Sequence, residues 1–216
     1  RMLRSTGPVA DPVASSAWRL APRRSAAGML ATALLLVSAL ASVAAVTLAM
    51  VWMPGHAPAL APWLYMAGVT PWLVLIDLRV RRLPNKLVLP GFAVWVLGVA
   101  WGVLADPDVG WARALASLAV GGAYALVLGA LAWWGGMGGG DLKLGTLLGL
   151  MLGLVSPPAA AVALPLAFLA GAVVAVVVLA ASPKGERRGR SIPFGPCLLL
   201  GAAVALAGGL LLASQQ

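Results

Sequence analysis

Two aspartates are the residues of this chain best suited to chemistry. Asp77 ends the apolar run Trp72-Leu73-Val74-Leu75-Ile76, and Asp141 follows Gly138-Gly139-Gly140 and precedes Leu142-Lys143. A carboxylate at the edge of hydrocarbon is costly, which makes it a functional candidate by default. Two such groups in contact do not both ionise readily; they share a proton, so that one serves as base and the other as acid. Such a pair can hydrolyse an amide. The base takes a proton from water, and the pair delivers protons first to the carbonyl oxygen and then to the leaving amine. Each residue also has an ordinary explanation. An aspartate after glycines can cap a helix, and Asp77 has Arg79, Arg81 and Arg82 close by in sequence as ion-pair partners.

Other chemistries find few residues. Cys197 is the single cysteine and lies in an apolar segment, where it reads as a packing residue. His56 is the single histidine, set among Pro54, Gly55 and Pro58 in a loop. Without a cluster of His or Cys, no metal is expected and no cofactor is called for. The four other acids fall in ordinary places: Asp11 in a tail, Asp106 and Asp108 in a turn, Glu186 in a basic loop.

The elements that position the two aspartates follow from composition. Of 216 residues, 62% are hydrophobic and 10% charged, against about 25% charged in soluble domains. So few charges cannot cover a soluble surface, and a disordered chain needs the opposite balance. The expected class is an all-α, polytopic integral membrane protein of about seven helices. Apolar segments run at about 28–53, 60–77, 87–105, 112–134, 142–155, 159–181 and 192–213, most of them long enough to cross about 30 Å of hydrocarbon. The first is read as a membrane helix, because the stretch before it and its own apolar run are both too long for a signal peptide.

Charge placement orients these segments. Basic residues cluster in the tail 1–27, at Arg79, Arg81, Arg82 and Lys86, at Lys143, and at Lys184, Arg187, Arg188 and Arg190. Seven crossings from a cytoplasmic N-terminus put all of these on the cytoplasmic side, as the positive-inside rule requires. Arg113 alone falls elsewhere. The net charge of +9 therefore records topology, and nucleic acid is not an expected partner. Asp77 and Asp141 come out on the same cytoplasmic side, whereas His56 lies across the membrane, which removes a Ser-His-Asp arrangement.

Depth and polarity can also be read. Segment 142–155 spans about 21 Å at 1.5 Å per residue, short of the hydrocarbon core. Asp141 is therefore expected below the cytoplasmic surface, in a shallow wet cavity with the glycine-rich loop entering the membrane zone. Asp141 opens a helix and Asp77 closes one. The helix dipoles then favour Asp141 as the ionised base and Asp77 as the protonated acid.

At this point the residues resemble a known family. Asp77-Leu78-Arg79 with Leu83-Pro84-Asn85 resembles the first aspartate motif of the type IV prepilin peptidases. Gly138-Gly139-Gly140-Asp141-Leu142-Lys143 is similar to their G-x-G-D-x-K motif, and Ile192-Pro193-Phe194-Gly195-Pro196 to a late segment. The order agrees too, and the resemblance runs over 60–216. It implies a six-helix membrane aspartic endopeptidase with Asp77 and Asp141 as its catalytic pair. Gly138 and Gly140 would shape the loop, with structural duties for Lys143, Pro84, Asn85 and Pro193. The implied partners are the lipid bilayer and a prepilin or pseudopilin, whose short basic leader is removed at the cytoplasmic face of the inner membrane. Long members carry a cytoplasmic insertion with paired cysteines and also methylate the new N-terminus. A chain with one cysteine and no such insertion is expected to be a minimal peptidase without that activity. The resemblance assigns nothing to 1–27 or 28–53 and implies no oligomeric state. The alternative is a proton- or cation-coupled transporter using the same carboxylates as a relay; acids on one side and the lack of an internal repeat favour the peptidase.

Overall fold

In a computed structural model the described residues are 57–80, 83–135, 137–180 and 194–213. The expected tail 1–27, the segment 28–53, His56, Asp11, Glu186 and Pro193 lie outside them, as do Arg81, Arg82 and the basic residues of 182–191. Six helices make up the described chain: α1 Ala57–Val80, α2 Asn85–Ala105, α3 Pro107–Trp133, α4 Gly139–Val155, α5 Pro157–Ala180 and α6 Gly195–Ala213. No strand occurs among the described residues. Four helices (α1, α2, α3 and α5) are long and apolar enough to cross a membrane, and α6 is a shorter apolar helix. The protein is a polytopic all-α membrane protein.

The six expected segments that fall among the described residues are found, but most helices begin a few residues earlier than the apolar runs suggest. Polar residues that look like loop prove to be first turns. Asp106, Pro107 and Asp108 do not form a separate turn. Asp106 caps α3, its Oδ1 accepting from the Val109 N–H at 3.2 Å, and Pro107 opens the helix, where a missing N–H costs nothing. Ser156 does the same for α5, its Oγ accepting from the Ala159 N–H at 3.3 Å ahead of Pro157. Each cap also closes the preceding helix: the Asp106 N–H donates to the Gly102 carbonyl and the Ser156 N–H to that of Leu152. At this end of the bundle, single extended residues join α2 to α3 and α4 to α5. The ends of α1, α3 and α5 and the starts of α2, α4 and α6 gather at the other end.

The packing has a centre. Helix α4 touches all five others, while α1 meets α2, α2 meets α3, α3 meets α5, α5 meets α6 and α6 closes on α1. From Leu144 to Leu154 every residue of α4 except Thr146 is buried, as befits a helix that is apolar all round. Lipids do not provide an apolar driving force between helices, so close approach must come from small residues. Gly145, Gly149 and Gly153 supply it, facing Leu128, Tyr124 and Ser117 of α3. Buried hydroxyls tie the layers. Trp95 Nε1 donates to Ser117 Oγ at 2.9 Å, Ser117 Oγ donates to the Leu150 carbonyl at 2.6 Å, and Tyr124 OH donates to the Ala160 carbonyl at 2.6 Å.

The closest of these approaches should be the least tolerant. A Cβ at Gly153 would stand 2.5 Å from the Ser117 Cα, which is backbone and cannot swing aside, whereas a Cβ at Gly122 meets nothing within 4 Å. Gly153→Ala is expected to lose about 1–3 kcal/mol, seen as a lower unfolding temperature in detergent micelles, with Gly122→Ala unchanged.

Candidate active site

Asp77 lies in the last turn of α1 and Asp141 in the first turn of α4, so antiparallel helices bring both to the same end of the bundle. They are near enough for the charge of one to act on the other. Asp77 is buried, 4% exposed, and Asp141 is half-buried. Two carboxylates held near each other in this way can share a proton.

Asp141 is not a helix cap. The helix begins at Gly139 with Gly138 as its extended N-cap residue, which makes no side-chain capping bond. The N–H groups of Asp141 and Leu142 both donate to the Gly138 carbonyl, at 3.1 and 3.3 Å. Two of the three glycines are thus already helical, and the loop expected to enter the membrane zone is shorter than the glycine run suggested. The helix has 17 residues, about 25 Å, and its enclosure by protein relieves it of spanning from one lipid surface to the other. A recess deduced from its shortness no longer follows; the half-burial of Asp141 comes from its neighbours.

Three segments converge on the pair. The N–H of Gly195, first residue of α6, donates to Asp77 Oδ2 at 3.1 Å across 118 positions. Pro196 has no N–H, and those of Cys197 and Leu198 turn back to the Phe194 carbonyl. Asp77 therefore caps α6 from another helix. Leu83 fills the space between: a Cβ at Gly140 would stand 2.9 Å from the Leu83 Cβ, and one at Gly195 would stand 3.4 Å from its Cδ1 and 3.0 Å from Asp77 Oδ2. Gly140 is a glycine for closeness; Gly138 keeps an ordinary extended backbone at φ −75°. Pro84 caps α2 with its carbonyl, which accepts from Leu87 and Val88. Lys143 Nζ donates to Asn85 Oδ1 at 2.9 Å.

Two sequence readings change. The dipole argument for Asp77 as the protonated member considered only its own helix C-terminus; the start of α6 lies against it, so both acids face a helix N-terminus and dipoles no longer separate their roles. Cys197, read as a packing residue, is buried as such a residue would be, but it stands in the first turn of α6 within electrostatic range of Asp77 and Asp141. The Gly-Pro step at 195–196 was the available signal for both, since it marks a helix start on the side of the membrane assigned to the aspartates. No group of three or more potential metal ligands occurs among the described residues. A cavity of about 400 Å³ lined by Pro58, Trp101, Asp106 and Arg113 lies at the opposite end of the bundle, away from the pair.

The fold and site define a polytopic helical membrane protein with two carboxylates near each other at one end. The sequence profile of the type IV leader peptidase family matches residues 64–180, more than half of the chain and including both aspartates. The chain belongs to the type IV leader peptidase family, and it is a membrane peptidase. The match ends before Phe194-Gly195-Pro196, so the contact of α6 with Asp77 comes from the structure alone. No curated protein and no solved structure matches significantly.

The Gly195 contact can be tested by size. Gly195→Ala is expected to displace the Asp77 carboxylate and lower peptidase activity about tenfold or more. Gly208→Ala, in the same helix but with open space around it, should keep wild-type activity.

Proposed function

We propose that the protein is an aspartic endopeptidase that removes the short basic leader of type IV prepilin-like or pseudopilin substrates at the cytoplasmic face of the inner membrane. Asp77 and Asp141 are its catalytic pair. The observation that carries this reading is their meeting, from the end of one helix and the start of another, in a family of leader peptidases. Neither does the work of an ordinary structural aspartate within its own helix: Asp141 is not the cap residue, and the burial of Asp77 among α1, α6 and Leu83 exceeds what a surface ion pair needs.

The reaction uses one proton on the pair. The ionised carboxylate takes a proton from water as its oxygen bonds to the scissile carbonyl carbon, and the protonated carboxyl gives its proton to the carbonyl oxygen. The tetrahedral intermediate collapses when the amide nitrogen receives the proton held by the first carboxylate. The carbon–nitrogen bond breaks, the hydroxyl proton returns to the second carboxyl, and the shared-proton state is restored. The substrate's apolar helix lies in the bilayer beside the enzyme, which sets its peptide bond at the depth of the pair. A relay for transport would place its carboxylates near mid-membrane; here both stand at one end of the bundle, which supports hydrolysis.

Co-expression with a type IV prepilin tests this directly, with leader removal followed by the mobility of the pilin on a gel. Asp77→Asn and Asp141→Asn should each leave the precursor uncut, and full processing by either would sink the pair. Asp106→Asn and Asp108→Asn should process normally, the first because asparagine caps a helix as well as aspartate does.

A further inference from the structure

The hydrogen bond from Lys143 to Asn85 joins residues 58 positions apart in a partly exposed place, where an isolated surface contact contributes little to stability. Its location gives it another use. Lys143 lies two residues beyond Asp141 in the same first turns of α4, and Asn85 is the first residue of α2. The regular helix carrying Asp77 ends at Val80, so α1 and α2 are not one rigid rod. What crosses the Asp141 turn is the segment Leu83-Pro84-Asn85. Leu83 packs on it at the bare Cα of Gly140, and Lys143, three residues further on and on the same face of the helix, holds Asn85. Leu83 also lies against Gly195, whose N–H holds Asp77. The segment is thus fastened to both sides of the catalytic pair.

The chemistry of the acceptor matters as well. Side chains two apart on a helix point to different faces, so Lys143 is directed away from Asp141, and its ammonium is engaged by a neutral amide. A cation placed directly on the pair would favour two ionised carboxylates and remove the proton they must share. Asn85 holds the lysine without adding a charge of its own.

We infer that Lys143 is a positioning residue of the peptidase, fastening the 83–85 segment to the first turn of α4 through Asn85 and thereby fixing the separation of Asp77 and Asp141. This rests on the reading of those aspartates as the catalytic pair. Displacing a reacting group by about 1 Å costs on the order of a hundredfold in rate, so a fastening weak in stability terms is large in kinetic ones.

The test uses the purified full chain in detergent micelles with a type IV prepilin as substrate. Lys143→Met and Asn85→Leu should each lower kcat about tenfold or more, with KM within about twofold and the unfolding temperature kept. The double variant should be no slower than the slower single one, since both remove the same bond. Lys143→Arg and Asn85→Gln keep a donor and a neutral acceptor and should recover most of the rate; Lys86→Ala, removing the adjacent exposed lysine, should match wild type. Should Lys143→Met fail to fold, Asn85→Leu against Asn85→Gln makes the same comparison at an exposed helix start. Wild-type kcat in Asn85→Leu, losses that multiply in the double variant, or losses confined to KM would each overturn the inference. Inert Asp77→Asn and Asp141→Asn alongside a fully active Asn85→Leu would remove the fastening only. Active Asp→Asn variants would remove the catalytic reading itself.

Discussion

The enclosure of α4 is the constraint on which the rest of the structure depends. A helix this apolar could sit against lipid, yet it is surrounded by protein, because Gly153 admits the backbone of α3, Gly145 and Gly149 receive its Leu128 and Tyr124 side chains, and the other helices complete the ring. Once α4 is fixed axially and rotationally by those approaches, its first turn is fixed too, and Asp141 with it. Asp77 then needs to be brought to only one point. It reaches that point because α1 runs antiparallel to α4 and because the start of α6 and Leu83 close around its carboxylate.

The polar groups near the pair are economical. Asp77 takes a backbone N–H that α6 cannot use internally, so a buried carboxylate and an orphan helix donor satisfy each other. Elsewhere in the interior, hydroxyls of Ser117 and Tyr124 donate to carbonyls of other helices. These bonds sit between helices that are otherwise held by close fit, and they select one rotation of each helix about its axis.

Much of this was legible in the sequence. Long apolar runs and scarce charge gave the helical membrane class, and the basic clusters gave a topology in which Asp77 and Asp141 share a side. Helix starts were less legible, because Asp106-Pro107-Asp108 is polar and resembles a turn until its capping geometry is known. The glycine run before Asp141 resembled loop for a similar reason: glycine is a poor helix former, but here Gly140 is chosen for the proximity of Leu83. The bonds from Gly195 to Asp77 and from Lys143 to Asn85 were invisible, since each joins helix ends that periodicity cannot register against one another. The dipole argument for separate acid and base roles lost its footing on that point. A dipole argument made from one helix at a time misses the helix that arrives from elsewhere in the chain.

The two single-residue junctions at Asp106 and Ser156 have a mechanical consequence. Each pair they join, α2 with α3 and α4 with α5, has the shape of tongs, with its pivot at one end and its tips, tied by the contacts around the carboxylates, at the other. Connections at the tip end are longer, and the carboxylates lie there. Widening the bundle by a given angle therefore moves the helices least at the pivots and most beside Asp77 and Asp141.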